Sequence, residues 1–379
     1  MTIIVVALAA VLAFVGPAAA QTVIPADDGG RFYGRAEYLL WWTKDSPQRI
    51  PFVTTGFLDR AGTQILMGGN DIDTGRHNGG RLTLGYWLTE DYTWGVEASG
   101  FYLPTVTRSH ALSSSGAPGS VHLVVPFFDP TRNQEAFTDV SSAGEFSGSA
   151  AQRLKSRLWG AEGSVVIGLA NPGPWRLDLL GGIRYLNLSE GLSFSTSSPD
   201  LPPGPVTVFR TKDEFDANND FYGGQIGLRG RYLRGRFMAD ATVKVAVGAM
   251  RQHIDVSGSL TTNFFSPPFV QTFGGGIFAQ PSNVGSHRRD VIAVVPEAGL
   301  NVGFKLTDWA TILVGYSFLY ASDVVRPGSQ IDRVINPTQS QAISLNYQAT
   351  LNGVARPTFR FQSSDFWAHG LNAGLAFSF

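Results

Sequence analysis

Cysteine is absent from the 379 residues, which excludes disulfides, thiolate metal sites and cysteine nucleophiles. Charge is scarce as well: 16% of residues are Asp, Glu, Lys or Arg, where soluble domains run nearer about 25%. The net charge of -1 points to neither nucleic acid nor an acidic polymer as partner. Long apolar runs are also missing. The longest, Ile3 to Val15, falls short of the ~20 residues a membrane-spanning helix needs. No Lys or Arg precedes that run. It ends in Gly16-Pro17 and Ala18-Ala19-Ala20, as a secretory signal peptide cleaved after Ala20 would. Catalytic signatures are equally sparse. There is no Gly-x-Ser-x-Gly elbow, and the histidines at 77, 110, 122, 253, 287 and 369 lack metal-ligand spacing. Asp71-x-Asp73-x-Gly75 lacks the later ligands of a calcium loop and reads as a turn. No enzyme, metal or cofactor is expected.

What the chain does have is glycine (44), phenylalanine (26) and alternation. The last stretch, Phe366 to Phe379, sets Phe379, Phe377, Leu375, Ala373 and Leu371 on one face. Ser378, Ala376, Gly374, Asn372 and Gly370 fall on the other, at the period of a β-strand. The same pattern recurs in Phe32–Trp42 and in four tight hairpins. These run over Leu82–Tyr102, Trp159–Tyr185, Tyr222–Val247 and Ala298–Phe318. Between them lie long stretches rich in Ser, Gly, Pro and Asp: 43–78, 104–155, 189–219, 249–289 and 320–365. Connections that alternate short and long are those of an outer-membrane barrel, with short turns in the periplasm and long loops outside. Low charge with hidden apolarity fits the same fold. The expectation is all-β: one closed antiparallel transmembrane β-barrel of about ten strands, both termini on the short-turn side. Twelve strands would result if Val206–Phe209 and Phe215 formed another hairpin. Residues 1–20 would be the signal peptide, 21–30 a lead and 31–379 the barrel. Phe32–Trp42 should pair with Phe366–Phe379 to seal the sheet, because lipid tolerates no unpaired edge. Every tryptophan falls near a predicted strand end, as two interfacial belts require.

Several runs resemble the beta-barrel porin family numbered seven. They are Tyr33-Gly34-x-Ala36-Glu37-Tyr38-Leu39-Leu40-Trp41-Trp42; Gly79-Gly80-Arg81-Leu82-Thr83-Leu84-Gly85-Tyr86-Trp87; Gly182-x-Arg184-Tyr185 with Leu188 and Glu190; Asn219-x-Phe221-Tyr222-Gly223-Gly224-Gln225-x-Gly227; Gly315 to Tyr320 continuing through Val325-Arg326-Pro327-Gly328-x-Gln330-Ile331-Asp332-Arg333 to Asn336; and Phe366-Trp367-Ala368-x-Gly370-Leu371-Asn372. The resemblance spans nearly all of the mature chain and implies an outer-membrane barrel, hence a bacterial outer-membrane location. Asn372, Gly374, Phe377 and Phe379 are similar to the C-terminal signal that the outer-membrane assembly machinery reads.

The polar faces place Arg35, Glu37, Arg81, Glu97, Glu162, Arg176, Asp178, Arg184, Arg229, Asp240, Lys244, Glu297 and Lys305 toward the lumen. Their signs nearly balance. Two readings follow: a water-bearing pore with a charged constriction, or a narrow lumen plugged by ion pairs. Simple hairpin registers set Glu162 diagonal to Arg184 and Arg229 diagonal to Asp240 as internal braces. Arg326-Pro327-Gly328 with the Asp332–Arg333 pair reads as a constriction at the mouth or as a staple ordering the outer loops. The expected function is a passive channel for small polar solutes. The alternatives are a structural or surface-binding barrel acting through its outer loops, and a rim hydrolase using Asp45, His110, His253 or Asp323. Besides those solutes, outer-membrane lipid and the assembly machinery are the expected partners. Phe379→Ala should cut membrane insertion far more than the loss of one ring explains; normal insertion in a cell-fractionation assay would contradict the targeting role.

Overall fold

The computed structural model describes residues 30–203, 207–265, 268–344 and 349–379. The expected signal peptide and all of the lead but Gly30 lie outside them. Ten strands make the barrel: β1 (Phe32–Thr43), β4 (Arg76–Trp87), β5 (Trp94–Ser114), β8 (Gly148–Ala170), β9 (Trp175–Pro199), β10 (Thr207–Arg234), β11 (Phe237–Phe265), β13 (Gly285–Lys305), β14 (Ala310–Val325) and β15 (Ser363–Ser378). Each pairs antiparallel with the next, and β1 closes on β15 from Tyr33↔Ser378 to Thr43↔Ala368. Phe32 and Phe379 exchange backbone hydrogen bonds of 3.0 and 2.8 Å, so the chain's last residue completes the seam. No helix among the described residues is long and apolar enough to cross a membrane. The strands cross instead, each hydrogen-bonded to a neighbour on both sides around the ring.

Outward side chains form an apolar band, with Ile183, Ile226, Leu300 and Val314 each more than half exposed. Aromatics bracket it. At the short-turn end Phe237 stacks edge-on to Phe304, and Trp309 stacks on Phe377 and Phe379. At the other end Trp159, Tyr185 and Tyr222 cluster, their centroids 4.8 and 4.9 Å apart. Two tryptophans depart from the belts. Trp41 and Trp87 are buried inside the barrel, under Arg81 and Arg176 respectively, with guanidinium carbons 5.3 and 4.2 Å from the rings. Position along a strand cannot place a ring; alternation can, and both lie on the face of Arg35 and Arg81.

Much of what the sequence presents as long loop is strand. The stretch 189–219 continues β9 and β10 beyond the membrane band, and 249–289 holds most of the outer part of β11 and the start of β13. Serine and glycine do not forbid this, because outward positions above the membrane face water and need no apolar side chain. Phe209 and Phe215 both lie on β10, so the twelve-strand alternative is not formed. The extended walls enclose a second sheet ordered β3-β2-β6-β7, built from β2 (Pro51–Thr54), β3 (Ile65–Gly68), β6 (Leu123–Asp129) and β7 (Gln134–Ser141). One further strand, β12 (Pro268–Gly274), pairs with the tip of β11. Phe52 at the centre packs on Phe194 of the wall and on Phe278 of the 275–284 segment, at 4.6 and 5.3 Å. Around it Val125, Phe127, Leu154, Leu192, Phe215, Ile254 and Ile335 complete an apolar core.

That core contains one carboxylate. Asp213 is fully buried; its Oδ1 accepts from the amides of Phe278 and Ala279 (3.0 and 2.7 Å) and its Oδ2 from Ile277 (3.2 Å). Burial pushes its carboxyl up to about 7, outweighing the three N–H bonds that favour the charged form. Between the ordinary carboxylate range and about pH 7 the folded chain holds a proton that the unfolded chain has released. Stability therefore falls as pH rises through that window and levels off above it. Thermal melts between pH 5 and 8 should record this decline, and Asp213→Asn should flatten it.

Candidate functional site

The interior of the spanning barrel concentrates much of the chain's scarce charge. Period-two alternation brings it there: positions 35, 37, 81, 97, 162, 184, 229, 240, 244 and 297 all point inward on eight different strands. A ring of ten strands is narrow enough for long side chains to meet across it. Arg229 on β10 grips Glu97 on β5 with both terminal nitrogens at 2.7 Å. Arg35 on β1 reaches Asp240 on β11 at 2.9 Å. Lys244 on β11 pairs with Glu162 on β8. Glu297 is the hub: Arg184 donates to it, and Arg81 and Lys244 approach at 3.4 and 3.6 Å. Except for lesser contacts between neighbours, these bonds are chords joining strands three or four places apart in the ring. Asn372 joins the network, donating to Glu37 at 2.7 Å and to Asn301 at 2.6 Å.

Of the two expected braces, Glu162–Arg184 is formed and Arg229–Asp240 is not. Glu162 stands directly opposite Arg184, but at 3.9 Å, and each has a closer partner. Arg229 takes Glu97 and Asp240 takes Arg35, long side chains reaching across the narrow lumen instead of along one hairpin. Arg176 and Asp178 lie at the short-turn end, paired with each other at 2.8 Å beside Trp87. Lys305 lines the mouth of a cavity of about 140 Å³ that rises from that end and has the charged belt as its floor. Gly374 sits where β15 crosses tight against β1, and a Cβ there would stand 2.1 Å from the Ala36 carbonyl oxygen.

Above the belt the lumen is dry. Leu39, Trp41, Phe101, Leu103, Leu158, Leu186, Leu188, Phe221, Ala246, Met250, Ala293, Val295, Leu319, Ala321, Val324, Phe366 and Ala368 form one core, contributed by nine of the ten barrel strands and at most 8% exposed. Sequence reasoning weighed only polar lumens. The signal is present in the polar faces themselves, which carry Leu39, Trp41, Leu158 and Leu186 one or two steps beyond the charges.

Higher still, Arg326 clamps Glu190 in a wholly buried ion pair and donates to the Lys44 carbonyl at 3.2 Å. The Asn219 side chain pairs both ways with the Val325 backbone, at 2.9 and 2.7 Å. Asp332 and Arg333 do not pair with each other; Asp332 bonds Arg356 and Arg333 bonds Glu135. The Arg326–Arg333 segment thus ties β9, β10 and the inner sheet together, matching the staple reading rather than a charged constriction.

The rim groups are dispersed. Asp73 closes an Asx turn on the Gly75 amide at 2.6 Å, as a plain turn does. His253 Nε2 lies 2.7 Å from Ser286 Oγ and 3.2 Å from Asp255. One nitrogen meets both, so no relay runs through the ring. No cluster of three metal-ligating side chains occurs among the described residues.

The sequence model described as "Putative beta barrel porin-7" matches residues 33–379. The chain belongs to the beta barrel porin-7 family. No curated protein matches it. Among solved structures it is similar to the outer-membrane protease OmpT of Escherichia coli, at 14% identity and TM-score 0.40, covering 92% of this chain and 96% of that one. It is also similar to a Pseudomonas aeruginosa FadL homologue (9%, TM-score 0.22, 92% and 90% covered) and to the toluene transporter TodX of P. putida (8%, TM-score 0.21, 92% and 90%). Family and fold together make the chain an outer-membrane β-barrel of the porin-like kind.

Removing the hub should leave Arg184, Arg81 and Lys244 without their shared anion. Breaking a buried cluster in this way costs about 3–5 kcal/mol. Glu297→Ala should lower the temperature at which the folded band is lost on heat-modifiability gels, whereas removing the exposed Arg31–Glu90 pair should not shift it.

Proposed function

We propose that this family member is a closed barrel that works through its outer surface rather than a passive channel. The apolar core above the charged belt carries the reading. In an open pore inward side chains are wetted by the lumen; here the layer from Leu39 to Ala368 is at most 8% exposed. Two further plugs support it, the crosswise ion pairs beneath and the Phe52-centred core above. A transient pore would have to hydrate or break all three, and each is costly to disrupt.

The extended outer walls are then the working part. Four of the barrel strands run 23–29 residues, against about 9–11 needed to cross a bilayer. Such lengths lift a rigid, internally packed head above the membrane, as a surface scaffold requires. No catalytic role is assigned to it.

Planar-bilayer recording of the refolded protein tests this. The expected trace has no conductance steps at moderate voltage. Steady, porin-sized steps would restore the channel reading.

A further inference from the structure

The outward face of β8, β9 and β10 changes character just above the aromatic cluster of Trp159, Tyr185 and Tyr222. On β8, Arg157, Lys155 and Arg153 follow Trp159 at successive outward positions. An outward residue recurs about every 7 Å along a strand, so the three charges form a column about 14 Å tall. None has an ion-pair or hydrogen-bond partner in the described structure, and the Nε of Arg157 is out of contact with both solvent and any acceptor. On β9 the matching outward row is small: Ser189, Gly191, Ser193, Ser195 and Ser197. On β10 the outward row carries Glu214, which pairs with Lys212 at 2.7 Å, and one step lower Asp216, level with Asp255 of β11. The Asp216 carboxylate leans over Gly191, into space that a Cβ would occupy. A gutter results, floored by serine hydroxyls and flanked by the β8 cations on one side and the Asp216 carboxylate on the other. A cavity of about 280 Å³ marks its lower part, lined by Lys155, Arg157, Ser189, Gly191 and Asp216 among others.

Its position decides what it fits. The gutter stands directly on the lipid-facing band of the same strands, whose Ile183 and Ile226 are 72% and 61% exposed. An occupant must carry acyl chains below, anionic groups level with the arginines, and hydroxyls for the serines and carboxylates. We propose that this face binds one phosphorylated glycolipid of the outer leaflet. Its phosphates would meet Arg153, Lys155 and Arg157, which suit phosphate by charge and fork geometry. Its sugar hydroxyls would donate to Asp216. This site is separate from the lumen and does not depend on whether the barrel conducts.

Purified lipopolysaccharide and its enzymatically dephosphorylated form are the probes, and detergent-solubilised full-length protein is the receptor. The wild type should retain the phosphorylated form. The triple variant Arg153→Ser, Lys155→Ser, Arg157→Ser should bind it roughly 100-fold more weakly, from the loss of three interfacial charges. Dephosphorylation should weaken wild-type binding to a similar degree. Ser193→Trp, which fills the gutter and leaves every charge in place, should weaken it too. Arg251→Ser with Arg288→Ser, outward cations on β11 and β13, should retain wild-type affinity. Equal binding by wild type and the triple variant, indifference to phosphate, or an equal loss in the β11/β13 control would overturn the proposal.

Discussion

The narrowness of a ten-strand ring governs this molecule. Lipid demands that the sheet close, and closure through Phe32 and Phe379 fixes the strand number. At that number, inward side chains from strands three or four places apart touch. Many inward side chains then find their partners across the lumen. Arg229 with Glu97, Arg35 with Asp240, and the three cations around Glu297 are consequences of that geometry. So is the apolar layer above them, where Trp41 and Phe101 meet inside the barrel at 5.5 Å.

The interior is therefore stratified rather than hollow. A cup open to the short-turn end has a charged floor; a dry apolar layer follows, then the buried Arg326–Glu190 clamp, then the core around Phe52. Each layer uses a different way of removing polar groups from water, and each leaves few of them unpartnered. The family runs that lie far apart in sequence converge here. Glu190 belongs to one, Asn219 to another and Arg326 to a third; all three are at most 2% exposed, Arg326 gripping Glu190 while Asn219 holds the backbone of the adjoining Val325. Asn372, read from the sequence as part of an assembly signal, also holds the Glu37 carboxylate.

The membrane-spanning part was legible because lipid imposes a strict period of two. Phe366–Phe379 announced its apolar face, its partner strand and its closing role without help from tertiary context. The charged positions were legible for the same reason, but their partners were not. Alternation says that Arg229 points inward; only the ring's diameter says that Glu97, rather than Asp240, is what it meets. Above the membrane the signal fades. Ser189, Ser193 and Ser195 look like loop residues, yet they are the watered face of a strand whose other face is Leu192 and Phe194. The inner sheet was hidden further, since Pro51–Thr54 and Ile65–Gly68 are four residues each, too short for a period to declare itself.

The absence of cysteine makes the central claim directly measurable. Single cysteines at Thr83, which lines the cup, and at Ala246, in the apolar layer, can be offered a membrane-impermeant thiol reagent from either side of a vesicle. The closed, layered interior predicts labelling of Thr83→Cys from the short-turn side only, and none of Ala246→Cys from either side. Rapid labelling of Ala246→Cys in the folded barrel would mean a water-filled lumen and would contradict the account.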